Sequence, residues 1–350
     1  MARPMDALPQ SSIELPCPLS AGWEIVRTIS LAKHGSDGQP LGGFSAAAYV
    51  HQKDRLWLLS DSSRAHLVPF TGLAASISRS AESVSLRPGA PLMLREQDGS
   101  LLPTFDGEGL VVDGGLAWIT SEGHPLADRS ARLVRFSLET GRLVAELPLP
   151  VGWVRADGEG LASNQGPESL TRLPGGDLLL AAEAPLLQDR STGFGARPVA
   201  WVRLAQTDGS GQPEERARLL LPAEGQGWGL TELLVLRSSA KMLALVRGFE
   251  LFRGWSMRLQ LHDLPSRQAS ASPPLQPLLG WDLNVDGLPS DNWEGMTLGP
   301  PMPDGRSTVV LVSDDNFSPL QTSWVAVIAP RWKSACPGLA GHKLKPELID

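Results

Sequence analysis

Glutamates recur along this chain at a nearly constant spacing, and each lies in or next to an apolar run. Aligning five copies of a short motif brings five residues to one position, at intervals of 63, 60, 64 and 62 residues. The aligned residues are Ser45, Glu108, Glu168, Glu232 and Glu294. Charged side chains beside apolar strands are costly unless they are paired, solvated or bound to metal. The repeat therefore indicates either a shared ionic site or a structural contact that is made in several repeats.

A second set of charged residues follows the first. After each motif come a turn and a second apolar run, and that run ends in a charged residue. The residues at these ends are Asp61, Glu122, Glu183, Arg247 and the pair Asp314 and Asp315. Adjacent antiparallel strands place the start of one strand beside the end of the next. We therefore expect the two sets to meet in pairs at one end of the fold.

This concentration of carboxylates predicts a site for a divalent cation. Like charges held close together raise one another's pKa or bind cations, and hard oxygen ligands suit Ca²⁺ first, with Mg²⁺ as the alternative. The residues predicted to be catalytic are Glu108, Glu168, Glu232, Glu294 and Arg247. The predicted metal ligands are Asp61, Glu122, Glu183, Asp291, Asp314, Asp315 and Asn316, with Asn164 and Asn292 as further oxygen donors. The planar guanidinium of Arg247 would pair with Glu232 or bind a phosphate or carboxylate.

A serine nucleophile is the competing hypothesis for chemistry at the aligned position. Ser45 lies in "GFSAA", but the chain contains no G-x-S-x-G motif. Of the 6 histidines, only His124 falls on the predicted acidic face, and its spacing does not mark it as a base. The sequence therefore favours carboxylate and metal chemistry over a serine mechanism.

The elements that must position these residues are short antiparallel strands. Each period of roughly 62 residues holds four apolar runs, rich in β-forming residues and separated by Gly, Pro and polar turns. Four antiparallel strands form one blade of a β-propeller, and the first strand of each blade lines the central channel. The chain thus predicts an all-β propeller of about five four-stranded blades, with a sixth left open.

The two ends of the chain are predicted to complete one blade. The last copy has three strand-like runs, and the N-terminal "WEIVRTISLA" would supply the fourth and close the ring. We therefore divide the chain into an N-terminal extension (1–22), a single propeller domain (23–333) and a C-terminal tail (334–350).

The two cysteines flank the closing strands. Cys17 precedes the N-terminal strand, and Cys336 follows the last one, so antiparallel pairing would bring them close together. A disulfide is then geometrically reasonable, and two free thiols are the alternative. A disulfide would require an oxidising compartment.

Composition argues against several classes of partner. The net charge of −7, without an evident cluster of Lys and Arg, argues against nucleic acid or an anionic membrane as the main partner. No apolar run is long enough to span a bilayer. We expect a monomer that acts on a small molecule. Trp228 and Trp293 each come shortly before an aligned glutamate, where they would pack between blades or line the channel mouth.

Several motifs resemble a known family. "NQGPESLTRLPGGDLLLAAEAPL" and, most specifically, "DNWEGM" followed by "SDDNFSPLQ" are similar to proteins of the family named esterase-like activity of phytase, or phytase-like domain proteins. The resemblance runs from about Gly42 to Ile328. It implies hydrolysis of ester or phosphate-ester bonds. A distant relation to β-propeller phytases implies a channel supported by calcium.

Two departures from the family pattern affect this interpretation. The resemblance implies export to the periplasm or beyond, but the segment "MARPMDALPQSSIELPC" contains no apolar stretch of a secretory signal. The fourth copy carries Val246 where relatives tend to have an acid.

Two functions remain open from sequence. One is a metal-dependent phosphoesterase, in which the carboxylates hold a cation that activates water and Arg247 clamps the phosphate. The absence of a cationic cluster argues against phytate itself as the substrate. The other is a propeller that is stabilised by metal and binds a ligand or protein without catalysis. Metal-dependent turnover separates the two.

Overall fold

The computed structural model describes most of the chain. The described residues are 14–35, 38–62, 64–77, 85–102, 104–123, 130–192, 196–204, 213–221, 227–236, 239–265, 273–333 and 336. The predicted tail at 334–350, except Cys336, and His124 lie outside this set. Within the described residues, no helix is both long and apolar enough to cross a membrane.

The chain folds into short strands grouped by blade. A first strand, β1 (Trp23–Ser30), precedes the blades. The first blade contains β2 (Phe44–Val50), β3 (Arg55–Ser60), β4 (His66–Thr71), β5 (Arg87–Pro88) and β6 (Leu92–Met93). The second contains β7 (Gly107–Asp113), β8 (Leu116–Ser121), β9 (Arg132–Ser137) and β10 (Leu143–Leu147). The third contains β11 (Pro167–Arg172), β12 (Leu178–Ala182), β13 (Ala196–Val202) and β14 (Pro213–Leu220).

The fourth and fifth blades complete the sequence. The fourth contains β15 (Gly229–Leu236), β16 (Lys241–Glu250), β17 (Gly254–Asp263) and β18 (Leu279–Asp282). The fifth contains β19 (Asn292–Leu298), β20 (Val309–Asp314) and β21 (Trp324–Pro330), together with β1. Helical structure among the described residues is limited to α1 (Leu73–Ser76) and 3-10 turns at Leu19–Ala21, His51–Lys53, Val151–Trp153 and Leu187–Thr192.

The strand order confirms the predicted propeller. Within each blade the paired strands are antiparallel neighbours, and β1 pairs with β21 at the outer edge of the fifth blade. The first strands of the five blades, β2, β7, β11, β15 and β19, contact one another in a closed cycle. The described chain therefore forms five blades around a channel. Its N-terminal strand closes the ring.

The hydrophobic core lies between blades rather than at a single centre. Five apolar clusters each join strands from neighbouring blades. Because both faces of a central strand are covered, runs such as Leu178–Ala182 are buried throughout. Trp293 is completely buried in one cluster, and its indole N–H donates to the Pro289 carbonyl at 2.9 Å. Trp293 therefore packs between blades and does not line the channel mouth.

The described termini are joined covalently. Cys17 and Cys336 form a disulfide across a sequence separation of 319 residues. The backbone around Cys17 also pairs with the segment after β21, where Cys17 N–H donates to the Arg331 carbonyl and Lys333 N–H donates to the Cys17 carbonyl. These contacts attach the start of the closing strand to the end of the last one.

Candidate functional site

Each inner strand carries a β-bulge at the position of the sequence motif. The register between first and second strands shifts at one place in every blade. A bulge sets two residues against one and re-aims a side chain. The bulges contain Ser45, Glu108, Glu168, Thr231 and Glu294. The fourth blade thus places Thr231, not Glu232, at the aligned position.

Charged side chains from all five blades meet where the inner strands begin. At the same level, the second strands carry Arg247 and Asp314, or end just before Asp61, Glu122 and Glu183. We call the resulting set the acidic ring. Its members are Asp61, Asp106, Glu108, Glu122, Glu168, Glu183, Arg247, Glu294 and Asp314.

Two groups of carboxylates lie on the side of the second and third blades. Asp106, Glu108 and Glu122 each place one oxygen within 4.8 Å of the others, and so do Glu122, Glu168 and Glu183. Glu122 belongs to both groups. Its Oε1 also accepts a 2.6 Å hydrogen bond from Gly166 N–H in the next blade. The inner and second strands therefore bring together the acids that the sequence pairs.

Arg247 links the third, fourth and fifth blades. Its guanidinium lies 2.6 Å from Glu294 Oε1 and 3.3 Å from Glu183 Oε1, and it also donates to Asn292 Oδ1. Asn292 in turn donates to Glu294 Oε1 at 2.9 Å and to Asp314 Oδ2 at 3.4 Å. The expected pair of Arg247 with Glu232 is wrong, because Arg247 contacts acids on either side of its own blade.

Asp61 contributes a buried and unsatisfied oxygen to the ring. Its Oδ1 is buried and has no hydrogen-bond partner. The carboxyls of Asp314, Glu294 and Asp106 all act on it electrostatically. A buried polar atom without a partner is rare in proteins, and a bound ion is one of its explanations.

Burial and mutual repulsion raise the pKa values of six ring acids. Burial is the largest cause in each case, and neighbouring carboxyls add to it. The pKa of Asp61 rises to about 9, those of Glu122 and Glu294 to about 8, and that of Asp314 to about 6. The pKa values of Glu108 and Glu168 lie well above their ordinary value.

Arg247 partly opposes this effect. Its positive charge lowers the pKa of Glu294 and Glu183, although burial keeps both above their ordinary value. The same acids raise the pKa of Arg247, so it stays charged at any physiological pH. Metal-free, the ring therefore holds protons near neutral pH, which a divalent cation would displace.

Glu232 lies apart from the acidic ring. Its Oε1 accepts hydrogen bonds from Leu170 N–H at 3.0 Å and Leu233 N–H at 2.9 Å, and the side chain is buried. Leu170 belongs to the neighbouring blade, so Glu232 ties the third blade to the fourth. The structure thus separates Glu232 from Glu108, Glu168 and Glu294, because a shift of one residue in a strand turns the side chain to the other face.

The remaining predicted ligands lie at the edge of the ring. Asp315 Oδ1 accepts from Gly43 N–H at 2.9 Å and from Phe317 N–H at 3.1 Å, which joins the fifth blade to the first. Asp291 is half-buried and accepts from Asn292 N–H at 2.8 Å, and its pKa is raised mainly by burial. Asn316 donates its backbone N–H to Asp314 Oδ1 at 2.7 Å, and its side chain is exposed. Asn164 has no described contact with the ring.

Asp106 is a ring member that sequence reasoning missed. It lies two residues before Glu108, at the position that Gly43, Gly166, Gly229 and Asn292 occupy in the other blades. A side chain is excluded at Gly43, where the φ angle is +60° and a Cβ atom would lie 2.2 Å from Asp61 Oδ1. The motif "FDGEG" contained the signal, since a second acid two residues away in a strand points to the same face.

The described residues do not assemble a serine nucleophile with a base. Ser45 is buried, and its Oγ donates to the Gly107 carbonyl of the next blade at 2.6 Å. Ser62 Oγ lies 3.2 Å from His66 Nδ1, a pair not recognised from sequence. Both groups lie within 2.9 Å of the Arg64 carbonyl, which can only accept, so His66 Nδ1 carries its proton there and cannot act as base for Ser62.

The donor set fits a hard divalent cation. Every titratable ligand candidate in the ring is a carboxylate, and Ca²⁺ binds six to eight such oxygens at about 2.3–2.6 Å. Oxygens on opposite sides of one such ion would lie about 4.6–5.2 Å apart, so the spacing within both groups is compatible with a shared ion. Glu122, Glu168 and Glu183 would hold one cation, and Asp106 and Glu108 would share Glu122 for another.

Comparison with known families identifies the chain. Residues 39–317 match the phytase-like family described as esterase-like activity of phytase. The chain belongs to this family. The match covers all the members of the acidic ring and ends at Phe317, just after its last acid. No curated protein matches the chain significantly.

Solved structures with a similar chain course are distant in sequence. An α-L-arabinanase from Cellvibrio cellulosa is 13% identical, with a TM-score of 0.43 over 84% of this chain and 94% of its own. A putative oxidoreductase (glucose dehydrogenase) from Thermus thermophilus is 11% identical, with a TM-score of 0.42 over 87% of this chain and 100% of its own. At these TM-scores, neither likeness supports a conclusion about this chain.

Proposed function

We propose that this phytase-like protein is a hydrolase of phosphate esters or related esters that depends on a divalent cation, with Ca²⁺ as the first candidate. The observation that carries the proposal is the acidic ring itself. Eight carboxyl groups from four blades lie in this ring, the Arg247 guanidinium contacts two of them, Glu183 and Glu294, and one buried oxygen, Asp61 Oδ1, has no partner. A set of acids this unfavourable without a cation is expected where a cation is part of the function.

The ring residues would divide the work of holding the cation and the substrate. A bound divalent cation polarises a phosphoryl or acyl oxygen and lowers the pKa of water. Glu122, Glu168 and Glu183 would hold it. In the hydrolysis, the oxygen of water bonds to phosphorus or to the acyl carbon, and the ester oxygen leaves as an alcohol with one proton from the water.

The other members of the acidic ring would transfer protons and bind the anion. Carboxyl groups with raised pKa values, such as Asp61 at about 9 and Glu294 at about 8, stay protonated near neutral pH unless a cation is bound. Arg247 brings a permanent positive charge beside them. We expect Arg247 to compensate part of the negative charge of a phosphate that enters the ring.

The test measures turnover of p-nitrophenyl phosphate and p-nitrophenyl acetate with Ca²⁺ or with EDTA. Glu168→Gln removes a ring carboxylate that is buried, and Glu232→Gln is the matched control because Glu232 is equally buried on an inner strand but lies outside the ring. We expect a loss of about 10–100-fold in Glu168→Gln and little change in Glu232→Gln.

Three outcomes would overturn the proposal. Turnover that is indifferent to EDTA would point to a mechanism without metal. Equal loss in both variants would indicate a structural effect. No turnover, together with a melting temperature that EDTA lowers, would leave a propeller that is stabilised by metal and only binds its ligand.

A further inference from the structure

One hairpin rises beyond the acidic ring. Strands β16 and β17 have ten residues each, whereas the second and third strands of the other blades have five to seven. Past Arg247, three more pairs continue the hairpin, the last being Glu250 with Gly254. At about 3.3 Å per residue, the hairpin extends about 10 Å beyond Arg247.

The tip of this hairpin is apolar and uncovered. Leu251 is 78% exposed and Phe252 is 96% exposed. Below them, Phe249 packs against Trp255 with ring centroids 4.9 Å apart, and the Arg247 guanidinium lies 5.4 Å from the Trp255 ring. An aromatic stack thus connects the exposed tip to the charged ring.

The neighbouring blade adds a second apolar loop at the same end. The segment after Asp315 carries Phe317, 47% exposed, and Leu320, 95% exposed. The ring of Phe317 covers Gly43, beside Asp61. Inner strands β15 and β19 are in contact, so the two loops belong to adjacent blades. We call these exposed residues the apolar lip: Phe249, Leu251, Phe252, Phe317 and Leu320.

The form and charge of the apolar lip point to one kind of partner. Single exposed apolar residues are ordinary, but several together on adjacent loops indicate an interaction surface. Leu251, Phe252 and Leu320 lie on loops with more than three quarters of each side chain exposed, as is typical of side chains that insert into a lipid layer. The charges at the tip balance, since Arg253 lies 3.5 Å from Glu250, and the chain carries a net charge of −7. An anionic surface is therefore disfavoured.

We propose that the apolar lip inserts into a zwitterionic lipid surface and presents the ester of a lipid headgroup to the acidic ring. The substrate class, a lipid ester, rests on the proposed function. The contact with lipid does not, because it requires only the exposed apolar side chains. The hypothesis of lipid binding and the hypothesis of ester cleavage can therefore be refuted separately.

The experiment measures flotation of the full chain with phosphatidylcholine vesicles. The test variant is Leu251→Ser with Phe252→Ser, and the control variant is Val144→Ser with Leu278→Ser, two apolar residues that are 46% and 51% exposed outside the lip. All four side chains are about half exposed or more, so the fold is expected to tolerate their replacement. We expect the wild-type chain to float, the test variant to bind at least about ten-fold more weakly, and the control to match the wild type.

Several other results would contradict the proposed contact with lipid. No flotation of the wild type, equal weakening in both variants, or binding that disappears in 0.5 M NaCl would overturn the proposal, because apolar insertion is not screened by salt. Self-association that is lost in the test variant would assign the lip to a second copy of the chain instead. Vesicle binding through the lip with no turnover of p-nitrophenyl phosphate or p-nitrophenyl acetate would refute the proposed function but not the lipid contact.

Discussion

Asp61→Asn should stabilise the calcium-free chain, and more so at pH 7 than at pH 5. The pKa of Asp61 is about 9 in the fold against an ordinary value of 3.8, because burial and the neighbouring acids disfavour its charge. At both pH values the folded chain holds this proton and the unfolded chain has largely released it. An acid with a raised pKa in the folded state loses stability as pH rises from its unfolded pKa to its folded pKa.

The size of the effect follows from proton linkage. One extra proton in the folded state lowers the free energy of unfolding by about 1.4 kcal/mol per pH unit, or about 2.7 kcal/mol between pH 5 and pH 7. For a chain of 350 residues with an unfolding entropy of about 2.1 cal/mol/K per residue, this difference in free energy corresponds to a shift of about 4 °C in the melting temperature. Asparagine does not titrate, so the variant lacks this slope.

The assay is thermal unfolding in EDTA at pH 5 and pH 7, followed by circular dichroism. Asp263→Asn is the control, because Asp263 forms an exposed pair with Lys241 that is worth less than about 1 kcal/mol. If Asp61→Asn shifts the melting temperature equally at both pH values, Asp61 does not hold a proton in the folded chain and the reasoning fails. With Ca²⁺ present we expect the stabilisation to shrink, because a nearby cation lowers the pKa of Asp61 and reduces the cost of its charge.

Three further predictions concern other parts of the molecule. Arg247→Met leaves the carboxyls of Glu183 and Glu294 without the guanidinium that pairs with them. In thermal melts, the free energy of unfolding should fall by about 3–5 kcal/mol in EDTA and by less in Ca²⁺. Equal loss in both conditions would show that calcium does not replace the charge of Arg247. Ser45→Ala should keep at least about half of any p-nitrophenyl ester turnover, and complete loss would restore the serine hypothesis. Replacing Cys17 and Cys336 by serine opens a loop that the disulfide closes across 319 residues. We expect the free energy of unfolding to fall by about 3–5 kcal/mol. Vesicle flotation should stay unchanged, which would show that the surface of the variant is native.

The propeller could be predicted from sequence because its information is periodic. The recurrence of apolar runs and polar turns defines the strands, and the count of runs at the two ends predicts that β1 joins the last blade. Turn residues alone did not reveal β6, a strand of two residues that pairs with β4. Short edge strands carry little apolar pattern, so they are difficult to recognise.

The site could be predicted only in those blades where the residue type at the aligned position agrees with the register of the inner strand. Glu108, Glu168 and Glu294 occupy bulges at equivalent places, and aligning their side chains places them correctly. In the fourth blade, Thr231 and Glu232 are adjacent, and aligning by residue type chose the wrong one. The partners of Arg247 come from two other blades, and distances between blades depend on the closure of the ring, which a local pattern does not encode.

Closure by β1 has a consequence for the order of events during synthesis. Trp23 pairs with Pro330 across nearly the whole chain, so β1 leaves the ribosome long before its partner β21 exists. At about 5–20 residues per second, roughly 300 residues take about 15–60 s to translate. Throughout that time the nascent chain has an unpaired strand at its start, with backbone groups free to pair with other chains. We therefore expect factors that shield nascent chains to increase the yield of this protein, chiefly by covering its first strand.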